Sequence, residues 1–122
     1  MADDGGKARF KAFMAALPAQ IKADIAPAVD KSADEMVSAM KSLAPSDDGD
    51  LRASIRVEPG QHELSRKVVA GNAAAPHATY VEFGTIDTPA QPYFWPIVRS
   101  FRRRSTSRIN RAITAAVKRY NA

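Results

Sequence analysis

Apolar residues recur along this chain at two spacings, and the spacings divide it into elements. Phe10, Phe13, Met14 and Leu17 lie three and four apart, which predicts a short amphipathic helix over residues 5–17. Asp3 and Asp4 precede it, where carboxylates favour a helix start. Pro18 ends that helix or opens the next, since proline is tolerated in a first turn. Ile21, Ile25, Val29, Met36, Met40 and Leu43 then form one apolar stripe, which predicts a second helix from Pro18 to Leu43. Pro27 falls inside it and predicts a kink or a split. Residues 5–43 are thus expected to be helical, with residues 1–4 a flexible lead.

The run from Ala44 to Asp50 breaks the pattern. Its aspartates lack the alternating ligand spacing and glycine position of an EF-hand loop, so it reads as a solvated turn rather than a calcium site. Beyond it, Leu51, Ala53, Ile55 and Val57 alternate with Arg52, Ser54, Arg56 and Glu58, the pattern of a half-buried strand over about 51–58. Pro59-Gly60 begins a turn, residues 64–70 read as the returning strand, and Gly71-Asn72 closes a hairpin over 51–71. A lone hairpin is marginal in water, so helix two, a further strand or a neighbouring subunit must cover it.

Residues 77–83 fit either a short helix or a strand, with Tyr80 and Phe83 on one face of a helical turn. Gly84 suits a helix stop or tight turn, and Ile86 to Gln91 an exposed loop. The last element, Pro96 to Tyr120, is a long helix: Val98, Phe101, Ile109, Ala112, Ile113, Ala116, Val117 and Tyr120 share a face. Ser105-Thr106-Ser107 is a point where it would fray or bend. The expected fold is α+β in a single domain spanning residues 1–122, with the N-terminal helices and the long C-terminal helix packed on a small antiparallel sheet.

Composition adds one feature to this map. Residues 75–96 hold Tyr80, Phe83, Tyr93, Phe94 and Trp95, together with Pro76, Pro89, Pro92 and Pro96, four of the chain's eight prolines. Such a stretch is costly to expose and stiff to deform, so it is expected to be a packed hub.

Charge changes the picture more. The net charge is +5, and Arg99, Arg102, Arg103, Arg104, Arg108, Arg111, Lys118 and Arg119 succeed one another with no acid between them. Most acids lie between Asp24 and Asp50. That polarity suits head-to-tail contact between copies or attraction to a polyanion, against a plainer reading as two solvated helix faces.

Candidate chemistry is sparse. There is no cysteine, hence no disulfide, thiolate nucleophile or cysteine-bound metal. His62 and His77 have no metal-ligand spacing, no serine sits in a nucleophile elbow, and no glycine loop could cradle phosphate. Glu82 lies in the hub without a second catalytic group and is expected to pair with an arginine. No apolar run approaches a membrane span, and the N-terminus lacks the basic and apolar regions of a signal peptide. The chain reads as a non-enzyme with no cofactor, no metal, no small-molecule substrate and no membrane contact.

Three blocks carry a family resemblance. The first is Leu43-Ala44-Pro45 followed by Gly49-Asp50-Leu51-Arg52-Ala53-Ser54-Ile55; the second is His77-Ala78-Thr79-Tyr80-Val81-Glu82-Phe83-Gly84-Thr85; the third is Ala90-Gln91-Pro92-Tyr93-Phe94-Trp95-Pro96. In order and spacing they resemble the gene-product-ten-like minor structural proteins of tailed bacteriophages and prophages, the head–tail joining, neck or tail-completion group. His77 stands where that family usually has tyrosine, Trp95 replaces a usual arginine, and the family's opening strand is missing.

The resemblance implies a virion protein of the head–tail junction, made in the host cytoplasm and assembled as a homo-oligomeric ring against connector or tail proteins. It marks Leu51, Arg52, Ser54, Ile55, Tyr80, Val81, Glu82, Phe83, Gly84, Thr85, Pro92, Phe94 and Pro96 as the motif positions. Tyr80, Phe83 and Phe94 among them, together with Trp95, are expected to form the hub's core, with Gly84 permitting its turn. Arg99, Arg102, Arg103, Arg104, Arg108 and Arg111 are expected to face an acidic neighbour or DNA. The rival reading is a nucleic-acid-binding module using the basic C-terminal helix, whose affinity would fall steeply with salt.

Overall fold

The computed structural model describes residues 8–122 apart from 10, 11, 14, 46, 47, 87 and 88. The elements in chain order are α1 (Ala19–Leu43), α2 (Gly49–Ser54), β1 (Arg56–Pro59), β2 (Arg66–Val69), α3 (Ala78–Phe83) and α4 (Trp95–Tyr120). Before α1, residues 8, 9, 12, 13, 15 and 16 are helical. The expected flexible lead over 1–4, and Phe10 and Met14 of the first predicted stripe, lie outside the described residues. The fold is α+β, with helices packed around a two-stranded antiparallel sheet.

The frame is the antiparallel pairing of α1 with α4. Each helix carries an apolar stripe, and each stripe is the other's main cover. Contacts run in opposite order along the two helices: Asp24 meets Arg119, Glu35 meets Arg108 and Arg104, and Met40 shares a cluster with Ile97. The remaining faces of α1 hold the hairpin, which supplies the cover that two strands alone would lack. Pro27 does not split α1; it is exposed, and helix runs through it. Likewise α4 continues through Ser105-Thr106-Ser107, where Ser105 is buried.

Two hydrophobic clusters result. One end of the α1–α4 pair holds Ile21, Ile25, Leu64 and Ala116. The other holds Met40, Ala44, Leu51, Ile55, Ala75, Ala78, Tyr93 and Ile97. Full burial of side chains such as Ile25, Met40, Leu51 and Ile55 contributes about 1.5–3 kcal/mol each.

The hairpin is shorter than its alternating pattern predicts. Residues 51–54 belong to α2, not to a strand, and β1 begins only at Arg56. The reason is a helix start: Asp48 Oδ1 accepts the Leu51 backbone N–H at 3.0 Å, capping a turn that opens at Gly49. Leu51, Ser54 and Ile55 are then buried at helical spacing, whereas Ala53, inward in the strand reading, is exposed. Strand β2 starts at Arg66 rather than Leu64, because Leu64 is drawn from the turn into the cluster of Ile21, Ile25 and Ala116. The register pairs Arg56 with Val69, Val57 with Val68, Glu58 with Lys67 and Pro59 with Arg66.

Candidate functional site

Residues 75–96 resolve into α3, a connecting segment and the first residues of α4. Helix α4 opens after a proline-rich stretch with Phe94 at its N-cap position, and Phe94 has no side chain able to cap. Its first backbone N–H groups therefore need acceptors from elsewhere. Glu82 supplies them from α3. Its Oε1 accepts the N–H of Tyr93 at 2.9 Å and of Phe94 at 2.8 Å, and its Oε2 accepts that of Trp95 at 3.0 Å. The side chain is buried, and a carboxylate at a helix N-terminus is favoured by the aligned peptide dipoles. The expected arginine partner is thus replaced by three backbone donors.

Around this clamp the second and third motif blocks are held together. Gln91 donates its backbone N–H to Val81 O at 2.8 Å, and the Tyr93 hydroxyl donates to Ala78 O at 3.2 Å. Tyr93 is 2% exposed. Burial, then the nearby Glu82 and Asp48 carboxylates, push its phenol up to about 12. Phe94 stands edge-on to both Tyr93 and Trp95, with ring centroids 6.4 and 5.3 Å apart. Pro96 sits in the first turn of α4, where no N–H is needed, and Pro92 is exposed. Gly84 ends α3 with φ +79° and donates to Tyr80 O at 2.7 Å.

The first block is tied to the same centre. Ser54 is fully buried; its hydroxyl donates to Leu51 O at 2.6 Å and accepts the Gly71 N–H at 2.9 Å. Gly71 has φ +99°, and a Cβ there would meet Ala78 Cβ at 3.2 Å. Arg52 donates to Ala44 O at 3.2 Å. His77, just before α3, lies 2.7 Å from Asp48 through its Nε2. Asp48 therefore links the starts of α2 and α3, and its carboxyl is held below the usual range by the Leu51 N–H first and His77 second.

The aromatics divide between inside and outside. Phe94 packs against the larger cluster, but Tyr80 and Phe83 are 63% and 65% exposed and Trp95 is 44% exposed. The expected four-aromatic core is corrected accordingly: Tyr93 occupies the centre, while Tyr80 and Phe83 point outward because the short α3 turns its inner face, Ala78 and Glu82, to the protein. Val81 packs half-buried against the cluster. Open grooves flank α3. One of about 340 Å3 is lined by Pro45, Asp48, Tyr80, Val81, Thr85 and Gln91. The other, about 270 Å3, lies between β2 and the aromatics and is lined by Val68, Ala70, Phe83, Tyr93 and Trp95.

The charge halves meet within one chain. Arg108, largely buried, donates to both oxygens of Glu35 at 2.7 and 3.1 Å and to Ser32 Oγ at 3.2 Å. Arg104 reaches Glu35 at 3.0 Å, Arg119 reaches Asp24 at 3.6 Å and Arg66 reaches Asp30 at 2.7 Å. The hydrogen bond from Arg108 leads the effects that hold the Glu35 carboxyl below its usual range. Arg104 and Arg108 thus serve an internal contact, in place of the expected neighbour or DNA. Arg99, Arg102, Arg103 and Arg111 are exposed and, among the described residues, make no ion pair.

No cluster of three or more metal-ligating side chains occurs among the described residues. No helix among them is long and apolar enough to cross a membrane. The Glu82 clamp escaped the pattern of apolar positions. Its one signal was indirect: a long helix beginning Pro-Tyr-Phe-Trp-Pro without a capping side chain, downstream of an acid among apolar neighbours.

Comparison with known proteins adds one match. The family model described as "Bacteriophage HK97-gp10, putative tail-component" matches residues 8–84, more than half of the chain. That span contains the first motif block and the second as far as Gly84, Glu82 included, and ends before the third block. No curated protein and no solved structure matches the chain.

Proposed function

The chain belongs to the HK97-gp10-like family of bacteriophage tail components, and from that premise we propose that it is a structural protein of the head–tail junction. It completes or joins the tail without making or breaking a covalent bond. It acts as a ring of identical subunits, docked to neighbouring connector or tail proteins. A head-to-tail contact repeated by rotation closes into such a ring.

The observation that carries this reading is the aromatic rim over the Glu82 clamp. Tyr80, Phe83, Ile86 and Trp95 are exposed apolar side chains on or beside α3, a segment held rigid from below by backbone hydrogen bonds. Exposed apolar surface on a stiff support is what a docking face requires. Asp24, Asp30 and Glu35 of α1 are taken up by arginines of the same chain, so intersubunit contact rests on this rim more than on matching acidic and basic halves.

The test is complementation of a phage lacking this gene with Tyr80→Ser/Phe83→Ser. Both side chains are exposed, so the isolated subunit should keep its circular dichroism and melting temperature. Micrographs should show unjoined heads and tails. Joined particles at the wild-type frequency would remove the rim from the joining role.

A further inference from the structure

We infer that the outward face of α4 is a binding surface for the phosphate backbone of duplex DNA. The helix carries its basic residues in two sets with different partners. Arg104, Arg108 and Arg119 are matched by Glu35 and Asp24 of α1. Arg99, Arg102, Arg103, Arg111 and Lys118 are exposed and, among the described residues, have no ion-pair partner. The second set is a surplus of charge that the fold does not use.

Its placement is ordered. With about 3.6 residues per turn, Arg99 and Arg103 stand one turn apart, and Arg111 and Lys118 stand two turns apart on an adjoining side of the helix. Both pairs are exposed, whereas Ile97, Ser105 and Ala116 of the same helix are buried. The exposed residues between them include Thr106, Ser107, Asn110 and Thr114, short hydrogen-bonding side chains, beside the exposed Val117. No acid occurs anywhere in α4. Arginine and lysine with interleaved serine, threonine and asparagine is the composition that contacts phosphate oxygens. From Arg99 to Lys118 the face runs about 28 Å, the length of roughly eight base pairs. The absence of exposed aromatics along it argues for backbone contact rather than base stacking.

This inference stands apart from the joining role, because it concerns a different face and is read on the purified subunit. Titrate the full chain into a labelled duplex of roughly 20 base pairs, long enough to cover the face, at two salt concentrations. Binding is expected to weaken roughly 100-fold between about 50 and 200 mM salt, as for about four phosphates neutralised. Arg99→Glu/Arg103→Glu should abolish it with the fold intact. Lys31→Glu/Lys67→Glu, which changes net charge equally on other elements, should stay within about threefold of the wild type.

Equal loss in both double variants would show attraction to net charge alone and overturn the inference. No retardation of the duplex at the lower salt would also overturn it. So would binding to vesicles of anionic phospholipid without binding to DNA, which would assign the face to lipid headgroups.

Discussion

The carboxylate of Glu82 lies 2.8 Å from the backbone nitrogen of Phe94, and this contact joins the motif on α3 to the start of α4. With the bonds from Tyr93 and Trp95, one side chain replaces the capping residue that α4 lacks. Glu82→Ala should strand three N–H groups in a buried site and destabilise the protein by roughly 3 kcal/mol. Glu82→Gln keeps one acceptor oxygen and should fall between that variant and the wild type. Urea unfolding measures both; an alanine variant with the wild-type midpoint would refute the clamp.

A second lock joins α2 to the chain after the hairpin. Ser54→Ala leaves the Gly71 N–H without its acceptor and should cost about 1–2 kcal/mol. Gly71→Ala combines a left-handed φ with a 3.2 Å approach to Ala78 and should cost about as much. Each variant's melting temperature checks this. A Gly71→Ala protein as stable as the parent would mean that the loop can move away from α3.

Stability should decline at both ends of the pH scale, for different reasons. Glu35, Asp48 and Glu63 have carboxyls lowered on folding, chiefly by Arg108, by the Leu51 N–H and by Lys22 respectively. Their contribution is present above the ordinary carboxylate range and is lost as pH falls through the folded values. The Tyr93 phenol moves the other way, from its ordinary value near 10 to about 12. The folded state then holds a proton that the unfolded state releases, so stability falls as pH rises from 10 towards 12. Tyr93→Phe should flatten the alkaline limb and leave the acid limb in place, as read by thermal melts across pH. An alkaline limb unchanged in that variant would assign it to another group.

Much of the frame was legible because long amphipathic helices announce themselves. The stripe of Ile21, Ile25 and Met40 does pair with that of Ile113 and Ala116, although Ile97, outside the expected stripe, is buried and Val117 and Tyr120, inside it, are exposed. Residues 51–55 misled because Leu51 and Ile55 suit both periods. The difference lay at Asp48, whose capping bond starts a helix, and at Ser54, a polar residue buried because it has two hydrogen-bond partners. Glu82 misled for a related reason. A pattern of residue types displays charges but not backbone donors, so an acid near many arginines reads as an ion-pair partner. The arginines divided only in three dimensions: Arg104 and Arg108 face Glu35, whereas Arg99 and Arg103, a turn away, face outward.

The pairing of α1 with α4 also governs the order of events during synthesis. Both clusters draw on the two ends of this sequence, Ile25 with Ala116 and Met40 with Ile97. While the chain is still emerging from the ribosome, α1 lacks α4, its main cover, and Glu82 waits without its donors until Tyr93, Phe94 and Trp95 arrive. Completion of both clusters therefore waits on a late closure between distant segments, which is expected to make folding slower than a helix-rich composition suggests.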